Sequence, residues 1–485
     1  MGAVEILVIS LTSSLCLYFL LTLIRGLHKL WWTPIHIKNQ LSSQGIKGPS
    51  YRFFHGSTKE IFNMIKEAMS RPMNLSHDIF PTILPHVHSW VDKYGNNYLQ
   101  WFGPKAQLVV TEPELIKEIM NNRDNNYPKP ETAPYTKKLL GDGVATSEGG
   151  KWVKMRKLAN SAFNAESLKV MLERWKHHEG KEIGVSEEFR LLTSEVISRT
   201  AFGSSYLEGK NIFQMLMKLA LISSRNAFKE LVKGIHNAIL EIIKKREEKV
   251  MSGEGSSFGG DFLQLLVEAH HDANASLKIS IEDLVDECKT FYIAGQESTS
   301  ALLVWTIFLL AIHTDWQEKA RKEVFNLFGQ QNPNPDGITK LKTMGMIINE
   351  SLRLYPPVTG ITRKVEREVR LGKLTLPANL LLYIPTLSPH HDPKIWGEDV
   401  HLFKPERFSE GIAKATNNNI AAFFPFGIGP RNCLGLNFAT TEAKIALSMI
   451  LQRYAFTLSP AYVHSPFQRL TIRPQHGVQV MLHSL

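Results

Sequence analysis

The sequence predicts a mainly α-helical protein with minor β structure and an N-terminal transmembrane helix. Residues 6–24 carry no charge and would span about 28 Å as a helix, close to the roughly 30 Å core of a bilayer. A helical pattern runs from Ser280 to about His313, and its apolar run at 301–312 is too short for a membrane and suits a large core. Residues 361–387 alternate and are rich in Leu and Pro, which is typical of several short strands joined by turns.

Composition excludes several classes of protein. The chain has 485 residues, a formal charge of +10, 43% hydrophobic and 21% charged residues, so a folded protein is expected. Its positive charges are scattered and form no basic tract, which disfavours nucleic-acid binding. Cys16, Cys288 and Cys433 are too far apart for a disulfide framework or a zinc site built on cysteine pairs. A reducing compartment is therefore expected for the bulk of the chain.

The N-terminus is predicted to be an uncleaved anchor. Four basic residues lie between positions 25 and 38, and only Glu5 precedes the apolar stretch, so the positive-inside rule places the rest of the chain in the cytoplasm. The alternative is a cleaved signal peptide, which needs a basic start and a small-residue cleavage site that are not evident here. The predicted organisation is a membrane anchor at 1–30, a linker or hinge at 31–50, and a single domain at 51–485.

Local patterns place the elements in order along the chain. Residues 97–120 predict two strands around a Gly103-Pro104 turn and then a helix, for which Thr111 and Glu114 form a capping box. Residues 187–250 are almost entirely helical in pattern. Ser280 and Asp283 are expected to cap the start of the longest helix.

One cysteine has an unusual setting in the stretch FFPFGIGPRNCLG, residues 423–435. Gly and Pro before Cys433 prevent a helix and let the backbone pass close to a ligand, and a helical pattern follows it. The thiol is thus expected at a helix N-terminus, where N–H groups and the dipole stabilise a thiolate, with the positive charge of Arg431 nearby. The alternative is a buried free cysteine that acts as a small hydrophobic residue.

The surrounding residues favour the ligand site. The spacing F-x-x-G-x-R-x-C-x-G is met at Phe426, Gly429, Arg431, Cys433 and Gly435, and it resembles the haem-binding signature of the cytochrome P450 superfamily. The resemblance implies that Cys433 is the axial iron ligand of a haem b, that Phe426 packs near the haem and that Arg431 meets a propionate. It extends over nearly the whole chain, which looks like plant clan 72 and most like family 749.

The same resemblance implies a long central helix over the haem that carries an oxygen-activating segment, AGQEST at residues 294–299. Gly295 would leave room for dioxygen, and Glu297 and Ser298 would relay protons to it. The family usually has threonine where Ser298 stands, so Thr299 could share the role. The alternative is a solvated polar turn of a helix.

Three further residues resemble a buried ionic triad that supports folding. Glu350 and Arg353 match the family's E-x-x-R motif, and Arg407 matches the arginine of its PERF motif. The E-x-x-R spacing also occurs at 187–190 and 318–321, which we interpret as surface pairs on helices. The neighbouring sequences LRLYPP and PERF distinguish Glu350.

Two more positions are expected at haem propionates. Trp152 and Arg156 share one helix face, and the family places such a pair there. Arg363 resembles a strand arginine with the same role. For the first pair, an exposed amphipathic helix is the alternative.

Electrons are expected from outside the chain. The segment GDGVAT at 141–146 lacks the third glycine of a dinucleotide loop, so we expect no NADPH or flavin bound by this chain. The resemblance implies a monooxygenase that takes electrons from NADPH–cytochrome P450 reductase and uses O2 on a hydrophobic small molecule of terpenoid or hormone-like class. Lys151, Lys154 and Lys157 could offer an acidic partner a basic docking surface. The expected location is the endoplasmic reticulum membrane, with the catalytic domain in the cytosol.

Two segments are shorter than the family pattern, near residues 169 and 226, and the second falls where relatives fold the lid of the substrate channel. An alternative function is therefore a non-catalytic haem-binding protein or a truncated gene product with an incomplete lid. A third possibility is an isomerase or dehydratase of the same fold, which the retained Glu297 and Ser298 disfavour.

Overall fold

The computed structural model describes residues 2–71, 73–122, 124–158, 175, 178–204, 206–219, 225–251, 261–272, 274 and 278–485. The chain divides into two compact units. The sheet unit comprises Met1–Arg71, Phe80–Pro130 and Gly360–Pro389. The helical unit comprises Pro72–Ile79, Glu131–Thr359 and His390–Leu485.

The sheet unit contains short strands and the N-terminal helices. Its strands are β1 Asn97–Phe102, β2 Lys105–Val110, β4 Gly360–Lys364, β5 Val369–Leu371, β6 Leu374–Leu376 and β7 Leu381–Pro385. Its helices are α1 Ala3–Leu27, α2 Thr33–Ser42, α3 Thr58–Ser70, α4 Phe80–Ile83, α5 Pro85–Tyr94 and α6 Pro113–Asn121. A four-stranded sheet has the order β1-β2-β7-β4, in which only β2 and β7 pair in parallel, and β5 and β6 form a separate hairpin. The strands predicted at 97–110 and 361–387 are therefore present.

The N-terminal segment is one continuous helical run. The π-helical turn His28–Trp32 joins α1 directly to α2, so the predicted linker at 31–50 begins as helix and the chain turns only after Ser42. The segment Leu7–Ser42 is long and apolar enough to cross a membrane, and its most apolar window is not buried by the rest of the chain. This segment is the candidate membrane anchor, and the boundaries at 30 and 50 stay predictions.

The helical unit contains most of the helices. They are α7 Pro134–Leu140, α8 Gly149–Leu158, α9 Val185–Phe202, α10 Tyr206–Leu219, α11 Arg225–Met251, α12 Phe262–His271, α13 Ile281–Ile312, α14 Thr314–Phe328, α15 Pro335–Lys340, α16 Lys342–Leu354, α18 Pro393–Trp396, α19 Ile412–Ala415 and α20 Leu436–Leu451. The short helix α17, Leu387–His390, precedes α18, and all but its last residue belongs to the sheet unit. The 3₁₀ turns are Pro405–Phe408, Ile420–Ala422 and Gly429–Arg431. The strands β3 Glu182–Gly184, β8 Tyr454–Leu458 and β11 Gln479–Ser484 form one sheet, and β9 Pro466–Gln468 and β10 Ile472–Pro474 form a hairpin.

The central element of the helical unit is α13. It begins with a capping box between Ser280 and Asp283, as the sequence predicts. It packs against α9, α16 and α20, and 83% of its most apolar window is buried. A helix that is apolar nearly all round and covered by neighbours is a core helix, so its hydrophobicity does not indicate a membrane span.

The predicted capping box at Thr111 is wrong. Helix α6 begins at Pro113 after Glu112, and no side chain caps it. The Thr111 hydroxyl instead donates to the Asn96 carbonyl oxygen at 2.6 Å, which ties the end of β2 to the residue before β1. A tertiary contact therefore takes the hydroxyl that the local pattern assigned to the helix.

The two short segments predicted near 169 and 226 fall partly outside the described residues, which omit 159–174 and 220–224. Helices α10 and α11 flank the second of them.

The loop before α8 packs closely against the backbone of α13 at Gly141. Its φ is +75°, and an added Cβ would lie 2.2 Å from the carbonyl oxygen of Asp286 on α13. We expect Gly141→Ala to lower the free energy of unfolding by at least about 2 kcal/mol, because backbone strain and a clash with fixed backbone add. The measurement is urea unfolding followed by circular dichroism.

The matched control is Gly149→Ala. Gly149 also has a positive φ, +61°, but nothing lies within 4 Å of its added Cβ. Its replacement should cost about 1 kcal/mol from strain alone. Equal losses for the two variants would show that the contact with Asp286 contributes nothing.

Candidate functional site

Cys433 ends a tight loop in the helical unit. Its N–H donates to the Phe426 carbonyl oxygen at 2.7 Å, which closes the loop. Gly427 and Gly429 have φ of 69° and 75°, a left-handed conformation that side chains disfavour and that explains the glycines of the motif. The Cys433 side chain is exposed while its neighbours are half-buried. The loop therefore holds an accessible sulfur on a constrained backbone.

Helix α20 starts just after this loop, with Gly435 as its N-cap residue. An added Cβ on Gly435 would lie 3.9 Å from the Cys433 sulfur, so the glycine leaves the side of the sulfur uncrowded. Desolvation raises the pKa of the Cys433 thiol, while a hydrogen bond from the Gly435 N–H and the charge of Arg156 act in the opposite direction. A cation bound at the sulfur would favour the thiolate expected from the sequence.

Arg431 lies in a cluster with α8. Its guanidinium carbon is 4.0 Å from the centroid of the Trp152 ring, a cation–π distance. One nitrogen donates to the Ser147 carbonyl oxygen at 2.8 Å, and another forms an ion pair with Glu148. The structure thus brings Arg431 and Trp152 together, and their predicted positions at a haem propionate stay predictions.

Arg156 joins the same cluster one turn of α8 later. It donates to both the backbone and the side-chain oxygen of Asn432, each at 2.8 Å. Trp152, Arg156 and Arg431 therefore surround the residues just before Cys433. Glu148 and Asn432 were missed by sequence reasoning, although each adjoins a predicted residue or helix and each holds an arginine in place.

Arg363 lies on β4 in the sheet unit. It is buried, with 4% of its surface exposed, and its guanidinium donates to the carbonyl oxygen of Thr362 at 3.0 Å. A buried strand arginine is unusual enough to indicate a specific role. Its predicted contact with a haem propionate stays a prediction.

The central helix has a partly exposed face near its middle. Ala294 is exposed and Ser298, one turn later, is half-buried, although most of α13 is buried. The Ser298 hydroxyl donates to the Ala294 carbonyl oxygen at 2.8 Å. Thr299 is buried, with 2% exposed. Of the two hydroxyl residues considered, Ser298 is therefore the one on the accessible face.

Glu297 has a more buried environment than Ser298. It is 3% exposed and forms an ion pair with Arg473 of β10. Burial raises the pKa of the Glu297 carboxyl, and the charges of Arg473 and Arg190 oppose the shift. The net upward direction suits a carboxyl that takes up and releases a proton. Arg473 was not predicted, because nothing in the local sequence connects β10 with the middle of α13.

Gly295 has a packing role that the sequence did not reveal. An added Cβ would lie 2.6 Å from Cδ1 of Ile197, so the missing side chain lets α9 approach α13 closely. Room for dioxygen was the reason inferred from the sequence, and helix packing is a second, independent reason.

Glu350, Arg353 and Arg407 lie together. Arg353 donates through Nε and a terminal nitrogen to the two oxygens of Glu350, each at 2.8 Å, and neither side chain is exposed. Arg407 Nε lies 3.6 Å from Glu350 Oε1, and its other nitrogens bond Asp399 and the Trp396 carbonyl oxygen. The triad is therefore one buried pair with a third, looser member whose main partner is Asp399.

The residues around Cys433 fit a haem. An accessible sulfur offers a soft ligand for iron, and the guanidinium groups of Arg156 and Arg431 can pair with carboxylates. The exposed Ala294 offers a small side chain beside which a flat ligand could lie. The sulfur and the two guanidinium groups are therefore suited to bind an iron-containing ring that carries carboxylate substituents.

Comparison with known proteins decides the family. A sequence model described as Cytochrome P450 matches residues 82–481, most of the chain. The chain belongs to the cytochrome P450 family. This P450 is accordingly a monooxygenase, and the family cofactor is a haem held by a thiolate. Members of the family generally take electrons from a redox partner and act on small molecules.

Its relatives are plant P450s. Cytochrome P450 CYP749A22 of Panax ginseng is 59% identical over 507 aligned positions, which cover 98% of this chain and 97% of the relative. Cytochrome P450 CYP72A219 of the same plant is 41% identical and covers 99% of each chain. The 7-deoxyloganic acid hydroxylase of Catharanthus roseus is 39% identical and covers 97% of each. The resemblance to family 749 and clan 72 is confirmed. Because 507 positions exceed the 485 residues of this P450, CYP749A22 contains residues that this P450 lacks.

A solved structure confirms the fold. The cytochrome P450 CYP102L1 superimposes with a TM-score of 0.71 over 81% of this P450 and 93% of that chain, at 24% sequence identity. The predicted architecture, mainly α with a long central helix and small sheets, is therefore confirmed.

Proposed function

We propose that this P450 is a membrane-anchored monooxygenase that hydroxylates a hydrophobic small molecule, with Cys433 as the axial ligand of haem b. The observation that carries the proposal is the exposed Cys433 sulfur at the start of α20, next in sequence to Asn432, which Arg156 holds. Helix α13 packs on α20 and has an accessible face at Ala294 and Ser298.

The haem, when bound, supplies the activation of O2, so that one oxygen atom enters a C–H bond and the other leaves as water. Arg156 and Arg431 would hold its propionates, and Phe426 would pack near its face. For Arg363 the same role stays a prediction. Trp152 positions Arg431 by stacking on it. Gly435 leaves space at the sulfur.

Proton delivery is assigned to α13. The Ser298 hydroxyl lies on the accessible face, where it donates to the Ala294 carbonyl oxygen. Rotation of the hydroxyl would let it donate its proton outward while it accepts another. Glu297 is adjacent in sequence, and burial raises the pKa of its carboxyl, which favours a role as a proton donor. Thr299, buried behind this face, supports the helix rather than the relay.

We infer that its redox partner is NADPH–cytochrome P450 reductase, since members of the family generally take electrons from a partner and the sequence shows no dinucleotide loop. The candidate anchor Leu7–Ser42 supports a membrane location, for which we propose the endoplasmic reticulum with the catalytic part in the cytosol. No nucleic-acid partner is expected, because the positive charges form no basic tract. The substrate is of terpenoid or hormone-like class, and the relative named 7-deoxyloganic acid hydroxylase supports a small oxygenated terpenoid.

The test is a metabolite screen in microsomes that contain the full chain and a plant reductase. We expect a product heavier by one oxygen atom that forms only when NADPH, O2 and the reductase are all present. A haem-loaded protein that gives no such product would instead favour a non-catalytic haem binder. Turnover without reductase would indicate an isomerase or dehydratase.

A further inference from the structure

The hairpin β9–β10 borders a cavity next to Glu297. The cavity has a volume of about 200 Å³ and is lined by Met217, Glu297, Phe467, Arg469, Leu470, Arg473, Pro474 and Gln475. Phe467 and Arg473 are directly paired across the hairpin, so their side chains lie on the same face. The cavity thus combines one apolar wall with the polar groups of a single hairpin.

The charged residues that line this cavity have a net positive charge. Glu297 is the one acidic residue of the lining, and it is already paired with Arg473. Arg469, in the turn of the hairpin, is exposed and contributes a second positive charge. Among the described residues no acidic side chain forms an ion pair with Arg469. One positive charge in the cavity is therefore available to a ligand.

The polar groups of the lining are mostly hydrogen-bond donors, which suit a ligand with acceptors. The Gln475 side-chain oxygen accepts a hydrogen bond from the Ser465 hydroxyl at 2.8 Å, which leaves its NH2 group as a donor. Glu297 Oε1 is buried and has no hydrogen-bond partner, and as an acceptor it suits a donor group rather than an anion. Donors from Arg469, Arg473 and Gln475 converge on the same small space.

The remaining residues of the lining are apolar and determine which carbon skeleton the ligand can have. Met217, Phe467, Leu470 and Pro474 present carbon atoms, which favour an apolar skeleton. A guanidinium pairs with a carboxylate through two parallel hydrogen bonds, and that geometry suits a planar anion on an apolar body.

We propose that this cavity binds the carboxylate of an amphipathic acid substrate, with Arg469 as its main counter-ion and Arg473 and Gln475 as additional donors. The inference rests on the proposed function and narrows its substrate to hydrophobic acids.

The probes are adamantane-1-carboxylate and adamantane-1-methanol, which share an apolar cage and differ in charge. Calorimetric titration of the haem-loaded full chain should show that the carboxylate binds at least about tenfold more tightly than the alcohol. In Arg469→Gln this preference should disappear through weaker binding of the carboxylate, with alcohol binding unchanged. Arg469 is exposed, so the variant should fold.

The matched control is Arg370→Gln, an exposed arginine on β5 in the sheet unit, which should retain the preference. Equal binding of the two probes to the unaltered protein, binding of neither, or an equal loss for both probes in Arg469→Gln would overturn the proposal. The carbon monoxide spectrum of each sample tests the haem-thiolate function separately, because it does not depend on either probe.

Discussion

Replacing Cys433 by alanine is expected to abolish the red-shifted Soret band that a reduced, thiolate-ligated haem gives with carbon monoxide. The variant loses the sulfur at the start of α20, and no other cysteine among the described residues adjoins Arg156 and Arg431. Cys16 is on α1, and Cys288 is buried in the core around α13. Activity should fall to background, because the electron donation of the thiolate is lost with the ligand. The measurement is the reduced difference spectrum of purified protein.

The matched control is Cys16→Ala, which removes an exposed thiol from the anchor and should leave the spectrum unchanged. A Cys433→Ala variant that kept the red-shifted band would show that another group ligates the iron. Loss of the band in both variants would indicate damage to the protein rather than loss of a ligand.

Replacing Glu350 by glutamine is expected to lower the free energy of unfolding by about 3–5 kcal/mol, because it leaves the buried Arg353 without its counter-charge. Arg353 has no exposed surface and so cannot recover hydration. The backbone N–H of Lys404, which donates to Glu350 Oε1 at 3.0 Å, would also lose a charged acceptor. The measurement is chemical unfolding of the haem-loaded protein, followed by circular dichroism.

The chain provides a control with the same spacing. Glu187 and Arg190 form another E-x-x-R pair, but 61% of the Glu187 side chain is exposed. Glu187→Gln should cost at most about 1 kcal/mol, since the Glu187 carboxylate is mostly hydrated. Similar losses for the two variants would contradict a special folding role for Glu350.

Sequence reasoning found those parts of the site that lie within short motifs. Phe426, Cys433 and Gly435 belong to one ten-residue pattern, and the closed loop that the structure shows explains the spacing. The E-x-x-R motif alone could not separate Glu350 from the exposed pair at Glu187. Its neighbouring sequence did so, and the burial of the pair agrees with that choice.

The parts that sequence reasoning missed are contacts between distant segments. Arg473 reaches Glu297 from the last strands of the chain, and neither residue has a local pattern that indicates the other. The capping box predicted at Thr111 was wrong for the opposite reason. Its local pattern was clear, but the Thr111 hydroxyl bonds Asn96 instead of the helix. Hydrophobic periodicity and helix caps can be recognised within a short stretch of sequence. The contacts of Arg473 and Thr111 instead depend on how distant segments pack together.

The bonds between Arg156 and Asn432 have a consequence for biosynthesis. The two residues are 276 positions apart, so at the usual rate of synthesis the ribosome needs roughly 14–55 s to add the second after the first. Arg156 of α8 can therefore bond Asn432 only after the C-terminal segment has been synthesised. Cofactor insertion is accordingly expected only when translation is nearly complete, and C-terminally truncated nascent chains should retain none.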